Sequence, residues 1–431
     1  MKYMNLKEQI LNFKSFMEVW ILMNKTQEQL MYILSNSIRG KNEYNIRSDI
    51  KSLDDIFNEA KAHKVDGFIY YYLNKNFLKL NEENKIILNT IKKDVFLESV
   101  RQSQHIKIIS KVLEEFNKNN IPVIVLKGLV VRYLYPQPDL RTMSDADFLV
   151  HSDDLDKSKE LLLSLGYVEY KQDHEHGAHV IFIKGSTVIE VHWKLINEDY
   201  YNGDTSFENS LWENTIKVKV EETETLSLGL EDLALHLCIH MAVHLACNGF
   251  GIRQLCDLVL LVEKLGKDID WNIFLRKAEE ANVKKFSRAI FYICNLLFNM
   301  EIPLEIKTGE NIQEKYINLF INDIFENGVN GKRDASELFA KEFAFQHKSD
   351  ENRNISPAIR FFKLIFPPIK KMNSKYDYAK KCIILYPVAW MHHLLEGIIN
   401  NEYSFNKKIK ILIATINISK KRNKLIKWLE L

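Results

Sequence analysis

Two aspartates one residue apart, Asp145 and Asp147, open the run Asp145-Ala146-Asp147-Phe148-Leu149-Val150, whose apolar end reads as a strand. Side chains two apart on a strand leave the same face, so these carboxylates lie side by side. Residues 187–193 alternate likewise. Val188, Glu190 and His192 share one face, and Ile189, Val191 and Trp193 the other. Three carboxylates converging from two adjacent strands would make a strongly anionic pocket, tolerable when hard divalent cations neutralise it. Mg²⁺, with Mn²⁺ as the alternative, is held this way where phosphoryl groups are transferred. Two such cations clamp the attacking and leaving oxygens of an in-line displacement.

Upstream, Val125-Leu126-Lys127-Gly128 reads as a strand entering a glycine turn, with a helix expected over 129–135. A helix start with free N–H groups, a glycine allowing close approach and a lysine can receive a triphosphate. Arg141, four residues before Asp145, is a second candidate phosphate contact. Taken singly these signals are weak. A lone D-x-D is common, Lys-Gly after a strand is often a plain turn, and Glu190 would suit an exposed strand face. Together, in this order, they are far more specific.

Other chemistry-bearing residues leave alternatives open. Asp232, His236, His240 and His244 fall at i, i+4, i+8 and i+12 of one helix. The row reads as a second, histidine-rich metal site, as buried histidines bonded between helices, or as a cleft roof with one ring touching nucleotide or acceptor. The Glu of an H-E-x-x-H zinc motif is missing. Arg253 and Asp257, at i, i+4, are expected to pair with each other. His174, His176 and His179 lie in a polar stretch before a strand, either reaching substrate or solvated. Trp193 and Trp212 are expected in the core or a cleft wall, where a base could stack.

The elements that must position these residues are mostly helical. Across 431 residues there are 15 Gly and 8 Pro, with 46% hydrophobic and 27% charged residues. This balance buries a normal core and excludes wholesale disorder, collagen-like chains and all-β repeats. Ser52 and Asp55 resemble a capping box opening a helix over 53–63. A long helix is expected over 81–119, with Ile87, Phe96, Ile106, Ile109, Leu113 and Phe116 at helical spacing. Strands are expected at 122–126, 145–150, 167–170, 178–184 and 187–193, the last two joined by a Gly185-Ser186 turn. A helix over 153–165, capped by Ser152 and closed by Gly166, interrupts them. Residues 217–220 and 225–228 suit one more hairpin. Helical periodicity returns from 230 to 299 and continues over 302–349. Pro367 and Pro387 break any long helix in the tail.

Net charge is +2, yet residues 351–431 carry 16 Lys and Arg against 5 Asp and Glu. This basic tail, including Lys407, Lys408, Lys410, Lys420, Lys421 and Arg422, is either a solvated lysine face or a contact for an anionic partner. Five cysteines without C-x-x-C spacing suggest reduced thiols. No apolar run reaches membrane-spanning length and no signal-peptide layout opens the chain, so a cytoplasmic location is expected.

Residues 120–193 resemble the nucleotidyltransferase superfamily of DNA polymerase β and the aminoglycoside nucleotidyltransferases, closest to an uncharacterised bacterial branch. The segments VLKGLVVRYLYPQPDLRTMSDADFLV and VIEVHW carry the resemblance, and residues 233–262 are similar to the stretch that follows in that branch. The resemblance implies an α+β fold, a small mixed sheet flanked by large helical N- and C-terminal regions. It divides the chain into a helical region at 1–118, a catalytic core at 119–228, a helical domain closing the cleft at 229–300 and a helical region with the basic tail at 301–431. It implies an Mg²⁺-dependent enzyme moving a nucleoside monophosphate from an NTP to a small molecule, a peptide or protein, or RNA, with pyrophosphate release. Asp145 and Asp147 match the metal-binding pair and Glu190 the third carboxylate. Lys127, Gly128, Arg141, Ser144 and His192 form the expected nucleotide-binding set. Gly128 matches the glycine of the usual Gly-Ser and the serine is absent, with Lys127-Gly128-Leu129 in its place, so the lysine would help hold the phosphates by its charge. The alternatives are a catalytically weak nucleotide-binding module of the same fold, or a metal-dependent phosphohydrolase built on the histidine row.

Overall fold

The computed structural model describes residues 23–41, 52–170, 178–196, 206–247, 249–307, 313–328, 369, 374–380, 385–399 and 422–431. They fall into two compact units, residues 1–332 with 425–431, and residues 333–424. The first unit is α+β, as expected. Its seven strands are β1 Ile124–Val125, β2 Ala146–Leu149, β3 Val168–Tyr170, β4 His179–Lys184, β5 Thr187–His192, β6 Ile216–Val220 and β7 Thr223–Ser227. They form one mixed sheet in the order β3-β4-β5-β2-β1-β7-β6. β2 runs parallel to β5 and antiparallel to β1, while β4–β5 and β6–β7 are antiparallel hairpins.

Among the described residues, four α-helices precede the sheet: α1 Lys25–Ile38, α2 Leu53–Ala62, α3 Asp66–Lys75 and α4 Glu82–Lys118. α5 Gly128–Val131 and α6 Leu155–Ser164 lie within it. α7 Leu230–Cys247, α8 Ile252–Leu265, α9 Trp271–Glu280, α10 Lys284–Phe298, α11 Leu304–Lys307 and α12 Glu314–Asn327 follow. Local chemistry sets several boundaries. The Ser52 hydroxyl accepts from the Asp55 N–H, and the Asn81 side chain accepts from the Asn84 N–H, satisfying orphan donors at the starts of α2 and α4. α4 ends at Asn119, and Asn120 takes a φ of 53° before the chain enters the sheet.

One face of the sheet packs on the second half of α4. Ile106, Ile109, Leu113 and Phe116 meet Val125, Phe148, Phe182, Ile189 and Val191 in one apolar cluster. Phe116 and Phe148 stack edge-to-face at 5.6 Å. Phe96, expected on the buried stripe, is 65% exposed, because the stripe runs through Val95, Gln102 and Ile106, and Phe96 lies about 100° round from Val95. A larger apolar cluster joins α1–α3 with α7–α10 and α12.

Two expectations need correction. The helix expected over 129–135 is one α-helical turn followed by a 3₁₀ turn, Arg132–Leu134. Tyr135 is then extended, the conformation that the following Pro136 demands. In the second unit, Pro387 occupies the first turn of a helix, Tyr386–Ile399, instead of ending one, since its missing N–H would be unpaired there anyway. That unit has a small apolar core of Ile369, Tyr376, Ala379 and Ala389. The segment 329–349 and Lys407, Lys408, Lys410, Lys420 and Lys421 lie outside the described residues. No helix among the described residues is long and apolar enough to cross a membrane.

Candidate active site

Strand alternation delivers the site. Ile189 and Val191 enter the α4-side core, which turns Glu190 and His192 to the opposite face. The β2–β5 ladder pairs Asp147 directly with Glu190, bringing together two carboxylates 43 positions apart in the chain. Asp145 precedes β2 by one residue and is half-buried at the edge of the cleft, while Ser144 is exposed. Asp145, Asp147, Ser144, Lys127, Gly128 and Arg141 line one cleft together with His240 and His244 of α7 and Arg253, Gln254 and Asp257 from α8. The cleft encloses about 760 Å³ of non-atom space, open mouth included.

Charge is distributed unevenly around it. Lys127 Nζ lies 3.0 Å from Asp147 Oδ1, and His192 Nε2 lies 3.2 Å from the same oxygen and 3.5 Å from Glu190 Oε2. Burial alone would push the Asp147 carboxyl up, but Lys127 and the His192 hydrogen bond hold it far below the ordinary carboxylate range. Burial would lower Lys127 as well, yet Asp147, Glu190 and Asp145 raise it. Asp145 goes the other way. Burial and then repulsion from Asp147 and Glu190 lift its pKa to about 6, opposed by Lys127 and Arg253. An unneutralised carboxylate thus faces the cleft. Lys127 also holds a φ of 46° with ψ of −114°, a backbone conformation that L-residues rarely adopt.

Gly128 has a steric reason separate from phosphate. A Cβ there would collide with the Arg141 guanidinium and meet Met143 Sδ at 2.8 Å. The amides that follow turn inward, Leu129 to the Leu126 carbonyl and both Val130 and Val131 to that of Lys127. The short helix therefore offers no row of free N–H groups beyond Gly128.

Arg141 lines the cleft with its head group engaged. It donates to Asp257 from Nε at 3.2 Å and from Nη2 at 2.6 Å, and Asp257 also accepts the Tyr135 hydroxyl at 2.7 Å. The expected Arg253–Asp257 pair is replaced: Asp257 is taken by Arg141, and Arg253 Nη1 donates to the Thr142 carbonyl. Arg253 Nε is buried with no partner among the described residues, and burial followed by repulsion from Arg141 lowers its pKa to about 10. A part-buried guanidinium in the cleft wall was not legible from the sequence, where i, i+4 spacing gave Arg253 a local partner.

The histidine row divides. His240 and His244 line the cleft with their Nε2 atoms 3.0 Å apart, whereas both nitrogens of His236 are buried without partners among the described residues. Burial, reinforced by the Lys127 charge, lowers His236 to about 3 and His244 to about 4, so the rings are neutral near pH 7. Asp232 pairs with Lys277 on α9 instead of joining the row. His179 is the first residue of β4 and sits across the ladder from His192; His174 and His176 lie outside the described residues. Trp212 stacks on His151 at 3.6 Å and Trp193 is half-buried. Among the described residues, the group of three or more His, Cys, Asp or Glu side chains whose donor atoms all fall within 4.8 Å of one another is His179, Glu190 and His192.

No curated protein matches the chain. Among solved structures it is similar to the solution structure of the antibiotic-resistance factor ANT(2'')-Ia, at 12% identity and a TM-score of 0.30, over 39% of this chain and 87% of that one. Residues 51–299, which contain every site side chain described above, match the family model described as uncharacterised nucleotidyltransferase, and the chain belongs to that family.

Proposed function

We propose that this protein moves a nucleoside monophosphate from an NTP to a nucleophile on a small molecule, a peptide or protein, or RNA, releasing pyrophosphate. The observation carrying this reading is the pairing of Asp147 with Glu190 across β2 and β5, with Asp145 beside them raised to about 6. The donor set fits Mg²⁺ or Mn²⁺. Three carboxylates offer hard oxygens, and the raised Asp145 is a charge that Lys127 and Arg253 leave uncompensated. Asp145, Asp147 and Glu190 would hold the cations, which supply charge neutralisation at the phosphoryl oxygens when bound.

The chain's own residues supply the remaining functions. Lys127 and Arg253 both line the cleft and would bring positive charge to the triphosphate, and Ser144 offers an exposed hydroxyl there. Arg141, clamped to Asp257, fills the space that Gly128 leaves and holds that wall in place. His192 bridges Asp147 and Glu190 and fixes their orientation. The acceptor oxygen or nitrogen attacks the α-phosphorus, and its proton passes to Glu190. The α–β anhydride bond breaks, and pyrophosphate carries away the electron pair. An RNA or other anionic acceptor would draw on the positive residues 351–431.

The test is incubation with each NTP radiolabelled at the α-phosphorus, Mg²⁺ and cell extract, beside the Asp145→Ala/Asp147→Ala variant. Label on a metabolite, peptide, protein or RNA with wild type alone supports the reading and gives the acceptor class. No label, together with no Mg²⁺-dependent NTP binding by calorimetry, overturns it.

A further inference from the structure

We propose that His179, Glu190 and His192 form a cation site for a divalent transition metal of the Zn²⁺ class, distinct in chemistry from the oxygen site at Asp145 and Asp147. The proposal adds a metal class at Glu190 to the function proposed above, but its geometry stands without that function.

Three observations carry it. The strands place the donors. His179 pairs directly with His192 across the β4–β5 hairpin, and Glu190 lies two residues before His192, so all three side chains leave one face of a rigid hairpin. The donor atoms are already close to a coordination shell. Glu190 Oε2 is 3.5 Å from His192 Nε2 and 3.9 Å from His179 Nε2, and all three atoms lie within 4.8 Å of one another. Donors set tetrahedrally about 2.0–2.1 Å from one metal stand about 3.4 Å apart. Closing the remaining gap needs side-chain rotation and no movement of the strands. The two rings already face each other, with centroids 4.8 Å apart.

The donor types then choose the metal. Two imidazole nitrogens and one carboxylate suit Zn²⁺, Co²⁺ or Ni²⁺, whereas Mg²⁺ and Ca²⁺ take all-oxygen shells. Three protein ligands leave a fourth position, as in catalytic zinc sites and unlike the closed shells of structural ones. Asp147 Oδ1, 3.2 Å from His192 Nε2, borders that position but is held by Lys127 at 3.0 Å. Asp147 also lines the cleft, so a phosphate or acceptor oxygen bound there would approach the group from the Asp147 side.

The test is titration of the EDTA-stripped full chain, without nucleotide, with Co²⁺. Visible d–d absorption reports coordination, and Zn²⁺ and Mg²⁺ serve as competitors. One equivalent of Co²⁺ with a four-coordinate band, displaced by Zn²⁺ and not by excess Mg²⁺, is expected. His179→Gln, with circular dichroism confirming the fold, should weaken Co²⁺ binding at least about tenfold, since even lost second-shell partners cost that much. Asp145→Asn should keep the band. No band in the folded wild type, or Co²⁺ affinity unchanged in His179→Gln, overturns the proposal. Label transfer measured in parallel separates the two claims. Mg²⁺-dependent transfer without a Co²⁺ band removes the metal site and keeps the function, and a Co²⁺ band without transfer does the reverse.

Discussion

Asp145 is a side chain on which burial and neighbouring carboxylates in the cleft leave a poorly compensated charge. Its pKa is raised to about 6 from an ordinary 3.8, so the folded state holds its proton more tightly than the unfolded chain does. Folding therefore binds a proton between these two values, and stability attributable to Asp145 falls as pH rises through them. At about pH 8, without divalent cations, Asp145→Asn should be more stable than wild type by about 1–3 kcal/mol. The difference should vanish below about pH 3, where the carboxyl is protonated in the folded and the unfolded chain alike. Thermal melts of both proteins in EDTA across this range check the sign. A wild type more stable than the variant at high pH would contradict the charge arrangement. Saturating Mg²⁺ should reverse the order, because only the wild type offers the carboxylate.

At the scale of elements, the contact between the loop before β2 and helix α8 rests on a buried ion pair. Arg141 and Asp257 are 116 positions apart, nearly fully buried, and joined by two hydrogen bonds. Removing one partner leaves the other charged and buried, so Arg141→Leu should cost about 3–5 kcal/mol in chemical denaturation. Replacing both with apolar residues should recover much of that loss, and the double-mutant cycle measures the coupling. Two equal single-site effects that simply add would show that the pair is not coupled. This element scale is also where sequence reading succeeded and failed for identifiable reasons. The β4–β5 hairpin and the β6–β7 hairpin follow from period-2 alternation and turn residues, which act over a few positions. The short helix after Gly128 was overestimated because apolar spacing outweighed the Tyr135-Pro136 restriction.

Across the whole molecule, the helical part of the first unit encloses three thiols among the described side chains. Cys238 on α7, Cys256 on α8 and Cys294 on α10 are free and fully buried. Burial pushes Cys238 up to about 12 and raises Cys256 and Cys294 well above the ordinary thiol value. All three are therefore thiols, not thiolates, at neutral pH, and unreactive on both counts. A thiol reagent at about pH 8 should leave these positions unmodified in the native protein and label them after denaturation, as read by peptide mass mapping. Rapid native labelling at any of the three would mean that α7–α10 open far more readily than such a core allows.

By itself the sequence determined the class of the fold and the order of the elements around the cleft, and it offered Asp145, Asp147 and Glu190 as candidates. Those signals are local: helical and strand periodicity, turn residues and the spacing of a D-x-D pair. Tertiary structure alone decided what those residues face. The register of β2 on β5 set Asp147 against Glu190, and that of β4 on β5 set His179 against His192. The packing of α8 against the loop before β2 gave Asp257 to Arg141 and left Arg253 in the cleft wall. Gly128 reads in the sequence as a phosphate glycine, and in the structure it makes room for Arg141. Pairings across tens to hundreds of residues are set by how whole elements pack, and no window of sequence contains both partners.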